Sequence, residues 1–421
     1  MKSELLRHRE KRITCLLAAL AACVAIEACT SAESASPDGT SAAAGSTAVI
    51  SALQGLALGP RWSISSEPQL VIGMLDGPQE YQFFDVAAAA RQSDGDLVVV
   101  DAGTRTVRLY DRNGVFVALL GGAGSGPGEF QDPRQVMIGP DDAIRVWDNA
   151  AFRVTSFDAS GVLTGVQVVR LDGIAKALTP PLYPASAQLL AGGDLLVRLV
   201  EKTKAQPSEA RFRRRSGALR VSADLSVIDT LMFFADVEQV TVNSTWGPLA
   251  IVPPLAKTTQ IAVHNREARV CIGEQEGAEI VCFAPDGSRT LLQWRDRPSA
   301  VRPAEIATWR EETMELYGQK MSFDDARRFV DQVPLPQVRP AYSSLVLDHA
   351  GNLWVELGPR EEEGSTSVDY LIFDSTGRIL DMLPLPRLQV LEIGEDYVMG
   401  VYRDELDVQY LQVYGINKPR R

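Results

Sequence analysis

The stretch "DGDLVVVDAGTRTVRLYDRNG" (94–114) recurs without a gap 47 positions later as "DDAIRVWDNAAFRVTSFDASG" (141–161). Leu97 meets Ile144, Val99 meets Val146 and Asp101 meets Asp148; Val107 then meets Val154, Tyr110 meets Phe157, and Gly114 meets Gly161. Each copy is a pair of short apolar runs bounded by Asp, Asn and Gly, the pattern of strands joined by tight turns. A fixed period in the forties, built from such pieces, predicts the blades of a propeller.

The remaining units are more degenerate but keep the punctuation. An apolar strand running into a Gly, Asp or Asn turn occurs six times: "VAAAARQSDGD" (86–96), "QVMIGPDDA" (135–143), "QLLAGGD" (188–194), "QIAVHNRE" (260–267), "SLVLDHAGN" (344–352) and "QVLEIGED" (389–396). A later aromatic-polar-turn element recurs as "YDRNG" (110–114), "FDASG" (157–161), "FAPDG" (283–287) and "FDSTG" (373–377), with "SADLS" (222–226) a worn version. The last unit ends without it, so its blade lacks an outer strand of its own. "RWSISSEPQLVIGMLDG" (61–77) precedes the first blade and is otherwise unassigned. Pairing the two ends removes both open sheet edges. The expected fold is therefore all-β: a six-bladed β-propeller of four-stranded antiparallel blades over 59–418, its N-terminal strand closing the last blade.

The glycine-rich "GGAGSGPGEFQDP" (121–133) invites a phosphate-loop reading and fails it. No Lys-Ser/Thr follows the glycines, and Pro127 stands where the last Gly of G-x-G-x-x-G belongs. Gly124, Gly126, Pro127, Gly128, Glu129, Phe130, Pro133 and Val136, followed by Asp148, Arg153, Phe157 and Gly161, instead resemble the repeat of NHL propellers over about 85–165. The resemblance implies a crossing from one blade's rim to the next blade's axis. As a whole the chain is similar to the six-bladed propeller lipoproteins of environmental bacteria, most of which have no assigned activity.

One segment breaks the β pattern. Residues 300–336 place Ile306, Trp309, Met314 and Leu316, then Phe323, Ala326, Phe329 and Val330, at helical rather than alternating spacing. Ser322 fits an N-cap with Asp325 at N3. This is a small helical insertion between blades four and five, covering apolar surface or serving as a lid.

Residues 1–22 read as a signal peptide, with a basic "MKSELLRHREKR" and an apolar "ITCLLAALAA" too short to span a bilayer. Leu20-Ala21-Ala22-Cys23 resembles a bacterial lipobox, which implies cleavage before Cys23 and lipid on it; Cys29 is the alternative. Neither Val24 nor Thr30 is Asp, which in that family implies the outer membrane. Residues 23–58 form a small, polar tether. The formal charge is −12, and five basic against two acidic residues leave with the signal, so nucleic acid is excluded as a partner. The basic run "RFRRRSGALR" (211–220) reads as a solvated strand edge. The expected partners are the membrane, through the lipid, and a protein, peptide or glycan; the expected state is a monomer.

Two cysteines remain, in "RVCIGEQEGAEIVCF" (269–283). A hairpin turning at Glu276-Gly277 sets Cys271 opposite Cys282, close enough for a disulfide in an oxidising compartment; two buried thiols are the alternative.

Catalytic signals are sparse. His264 and His349 cannot build a His₃ zinc site, and no HExxH, CxxC or G-x-S-x-G is present. Asp101 and Asp148 recur at equivalent strand ends, which fits turn closure and, secondarily, a ring at the channel. A resemblance to gluconolactonase-type propellers would imply Ca²⁺ on channel-mouth carboxylates, and one to propeller lyases would imply a channel histidine such as His349. The leading reading is a non-enzymatic binding platform with no cofactor; the alternative is a metal-dependent lactonase-like hydrolase or lyase at the channel mouth.

Overall fold

A computed structural model describes residues 62–171, 182–201, 211–224, 226–244, 247–264, 266–295, 299–359 and 366–418. The signal peptide, Cys23, Cys29 and the tether lie outside the described residues.

The chain is all-β apart from two α-helices among the described residues, and its strands form six antiparallel sheets. The first sheet shows how the sequence makes them. Its strands are Val86–Arg91, Leu97–Asp101, Thr106–Tyr110 and Phe116–Gly121, hydrogen-bonded in chain order. Successive side chains of a strand point to opposite faces. Leu97 and Val99 accordingly pack with Tyr397, Met399 and Val401 of the sixth sheet, while Val98 and Val100 pack with Val136, Ile144 and Val146 of the second. Both faces are covered, so "LVVVD" is buried throughout rather than alternating.

The same arrangement repeats around the molecule. Trp147 and Val154 of the second sheet meet Leu195 and Val197 of the third. Leu196 and Ala218 of the third meet Val270 and Ile272 of the fourth. Leu292 and Trp294 of the fourth meet Leu353 and Val355 of the fifth, and Trp354 and Tyr370 of the fifth meet Ile393 and Val398 of the sixth. Each of these clusters joins consecutive sheets, and one joins the sixth back to the first, closing the ring of a β-propeller. At about 1.5–3 kcal/mol per buried Val, Leu or Phe, stability is spread over every interface of the ring.

The sixth sheet takes its outer strand from the N-terminus. Ser63 and Ile64 pair with Asn417 and Ile416, and Leu70–Ile72 pairs with Val413–Leu411 of the C-terminal strand Gln409–Asn417. Around this seam the Trp62 amide donates to Asp381 Oδ2 at 2.7 Å, and its ring lies 5.5 Å from that of Trp354. Lys418 Nζ donates to Asp348 Oδ2 at 2.9 Å and to the Gly394 carbonyl at 2.8 Å, with its charge over both tryptophan rings. Burial alone would raise the Asp348 carboxyl, but Lys418 and the donors Asn352 and Trp354 outweigh it and hold it below the ordinary carboxylate range.

Strand number departs from a uniform four. The third sheet has five strands, because Val227–Ser244 runs for 18 residues and folds back as Gly247–Ile251. Its overshooting end is covered by the insertion, helices α1 (Pro303–Gly318) and α2 (Phe323–Asp331). Phe329, Val330 and Val333 pack on Val240, Val242 and Ile251, a small core apart from the ring. Ser322 caps α2 by accepting the Asp325 amide at 3.2 Å.

The basic run lies on the strand Arg211–Val221 of the third sheet: Ser216–Val221 pair on both sides, while Arg211–Arg215 pair only with Val227–Ser244 among the described residues, as an edge does. Arg211 pairs with Glu238 and Arg213 with Glu276 at 2.6 Å, while Arg215 stacks 4.2 Å over the Phe233 ring. In the fourth sheet Cys271 pairs with Cys282 across adjacent strands and a disulfide joins them, with Cα atoms 4.0 Å apart.

Register also defines two faces. In the first sheet Arg91 pairs with Leu97, so the turn between first and second strands lies on one face; Asp101 pairs with Val86 at the other. Among the described residues, each sheet is entered and left on this second, crossover face. The insertion leaves Gln293, opposite Glu279, and enters the fifth sheet at Leu345, so it too begins and ends there.

Candidate functional site

The six inner turns, one per sheet, converge at the ring centre around a cavity of about 620 Å³. Arg91, Gln92 and Ser93 come from the first sheet, and Met137 through Pro140, Asp142 and Arg145 from the second. The third gives only Ala191 and Gly192, the fourth Arg266 and the fifth His349. The sixth gives Glu392, Glu395, Asp396 and Tyr397. Its size suits a small ligand, for which pockets of roughly 300–1,000 Å³ are usual.

Glu392 organises one wall. A bulge between Val390 and Glu392 interrupts the pairing with the strand Tyr397–Arg403 and breaks the strand's alternation there. The carboxylate is 5% exposed and fully engaged. Oε2 accepts from the Arg91 amide at 3.0 Å and the Tyr397 hydroxyl at 2.7 Å, while Oε1 lies 3.1 Å from His349 Nε2. Burial, then the Glu392 charge, pushes the Tyr397 hydroxyl far up, so it stays a donor. The Arg91 guanidinium lies 4.8 Å over the Tyr397 ring and 3.6 Å from Asp396.

His349 is fixed from two sides. Its backbone amide donates to the Ile393 carbonyl at 3.0 Å, and its ring meets Tyr397 edge-on. An ionised Glu392 can only accept, so the neutral imidazole carries its proton on Nε2. Nδ1 then holds a lone pair and makes no hydrogen bond among the described residues. A carboxylate behind an imidazole is the arrangement of a general base.

Charge on the rest of the lining is unevenly used. Asp142 accepts from the Ser93 amide at 2.9 Å and from its hydroxyl. The Arg145 and Arg266 guanidiniums have no hydrogen bond or ion pair among the described residues.

The residues singled out from sequence fare differently. His349 lines the cavity. His264 does not: it is 2% exposed, and its Nδ1 closes its own turn by accepting the Arg266 and Glu267 amides at 3.2 and 2.8 Å. Burial lowers its pKa, which favours the neutral ring required for that acceptance. Asp101 and Asp148 are absent from the cavity as well, which corrects their placement as channel candidates. Both are fully buried at the crossover face. Asp101 accepts amides of Phe84, Asp85 and Gly103 at 2.9–3.2 Å; Asp148 accepts those of Gln131, Asp132, Ala150 and Ala151 at 2.7–3.2 Å. A guanidinium lies 3.8 Å from each, Arg108 and Arg153 respectively, and both arginines also reach back to carbonyls of the preceding crossing. The glycine-rich loop is one such crossing.

A Ca²⁺ ligand set is not assembled among the described residues: no three His, Cys, Asp or Glu side chains converge to hold a metal ion. The Glu392 and Asp142 carboxylates are already occupied by protein donors. Sequence reading missed Arg91, Arg145, Arg266, Glu392 and Tyr397. Glu392 carried the one available signal, an acid inside the apolar "QVLEI" strand.

No known family model and no curated protein matches the chain. Among solved structures it is similar to a Bacteroides fragilis protein described as exported, at 12% identity and TM-score 0.45, covering 89% of this chain and 100% of that one. A Bacteroides vulgatus member of the DUF4221 family matches at 11% identity and TM-score 0.48, covering 85% and 99%. A virginiamycin B lyase from Staphylococcus aureus matches at 11% identity and TM-score 0.37, covering 85% and 100%. None of these similarities bears on activity.

Proposed function

We propose that the chain is an exported, lipid-anchored six-bladed propeller of the bacterial outer membrane, acting as a non-enzymatic binding platform for a protein, peptide or glycan. The observation that carries this is the convergence of six inner turns, on a ring closed at every interface, around a cavity with two unpartnered guanidiniums. A rigid ring presents such groups with little ordering cost on binding. The lipobox-like Cys23 supplies the anchor, with Cys29 as alternative, and the net charge of −12 leaves nucleic acid out. Crosslinking in intact envelopes tests the reading: wild type should capture a partner that an Arg145→Ala, Arg266→Ala variant loses. Capture that ignores the cavity substitutions would sink it. Metabolic fatty-acid labelling that survives Cys23→Ala would move the anchor to Cys29.

A second reading has its own observation, the Glu392–His349 pair in the cavity wall. With His349 in the cavity wall and Glu392 behind its ring, the pair supports a hydrolase or lyase using His349 as base and Glu392 as its positioning residue. Turnover of a lactone panel that disappears in His349→Ala, with the fold intact, would favour this reading; unchanged turnover in that variant would dismiss it.

A further inference from the structure

We infer that the cavity takes the free C-terminus of a peptide, its carboxylate held between Arg145 and Arg266; this rests on the binding-platform reading. Arg145 is half-buried, and neither guanidinium has a protein partner among the described residues. A planar fork of donors partly withdrawn from water matches a carboxylate in charge and shape. Of the lining acids, Glu392 is occupied by three donors, Asp142 by Ser93, and Asp396 lies 3.6 Å from Arg91; Glu395, on the sixth sheet, is exposed.

The wall between the two arginines has room for a main chain. Arg145 comes from the second sheet and Arg266 from the fourth; the third sheet, between them in the ring, lines the cavity only with Ala191 and Gly192. Gly192 has φ +82°, and a Cβ built on it would meet nothing within 4 Å. Backbone is therefore open to approach there. Pro140, exposed on the same sheet's inner turn as Arg145, offers an apolar contact for the last side chain. A sugar acid would share the carboxylate chemistry but lacks a stacking platform. Tyr397 is the lining aromatic, and its ring is already faced by Arg91 and met edge-on by His349.

The test uses the full chain, a randomised tetrapeptide pool with free carboxyl ends, the same pool amidated, an acidic oligosaccharide pool and inorganic phosphate. Wild type should retain the free-acid pool at least tenfold over the amidated pool. R145Q/R266Q should lose that retention while melting as wild type does; if it melts early, the single R266Q, at an exposed position, becomes the readout. Equal retention of both peptide pools, or of neither, overturns the proposal. Cavity-dependent binding of oligosaccharide or phosphate without peptide overturns the ligand class and leaves the platform reading standing. Loss of cavity-dependent binding for every probe and for the crosslinked partner ends both.

Discussion

The two faces of the ring divide sequence regularity from chemistry. On the crossover face, the repeated elements (Asp101 and Asp148, the glycine-rich passage, Arg108 and Arg153) all bind the chain to itself. On the opposite face, six turns that share little beyond being turns build the cavity. A residue that recurs in each unit answers a need every unit has, such as satisfying the amides where strands end. A ligand is met once, by the whole ring, and each sheet can contribute a different group. Repetition here marks architecture, and singularity marks the site.

Substitution can break that division. The largest effect is expected at the repeated aspartates. Asp148→Ala strands four backbone amides and the Arg153 charge in a dry site, and should cost about 3–5 kcal/mol in denaturant unfolding. A melt unchanged within a degree or two would mean the crossover face is not held this way. Next comes the disulfide. Its 11-residue separation implies about 3 kcal/mol from loop closure, so Cys271→Ser, Cys282→Ser should melt early, and wild type should melt like it once reductant is added.

A third expectation concerns pH. Asp348 titrates below its unfolded value, so its contribution is full above the unfolded carboxylate range near pH 4 and is lost as pH falls through the folded pKa. Lys418→Met should flatten this acid limb of the melting curve; an identical limb in the variant would assign it to other carboxylates. The smallest effect belongs to the cavity. Arg145→Gln and Arg266→Gln should shift stability by no more than about 0.5 kcal/mol, because neither side chain holds anything in the free protein. Cavity variants as damaging as Asp148→Ala would erase the distinction between the faces.

The same distinction explains what could be read in advance. The ring was legible because each sheet needs its own turn chemistry, and aspartate and glycine provide it at a near-constant spacing. The third sheet was less so: nothing local in Val227–Ser244 states that the strand overshoots and turns back, since the apolar surface it needs comes from helices some eighty residues later. The basic run showed its one-sided arginine end, but not its partners Glu238 and Glu276, which are distant in sequence. The cavity was almost invisible. Arg91, Arg145, Arg266 and His349 are ordinary residues beside ordinary turns, and only ring closure brings them together. Glu392 could have been noticed, since an acid within an apolar inner strand needs donors to be tolerated.

The pairing of Ser63–Ile64 and Leu70–Ile72 with the C-terminal strand bears on how the protein is made. The first described strand to leave the ribosome waits longest for its neighbour, because the contact it must make is some 350 residues away in the chain. Until then the nascent chain is an incomplete arc with exposed hydrogen-bonding edges at both ends, open to chaperones and proteases alike. A chain truncated near its C-terminus would lose more than one strand. It would leave the N-terminal segment without its native seat and the arc unable to close.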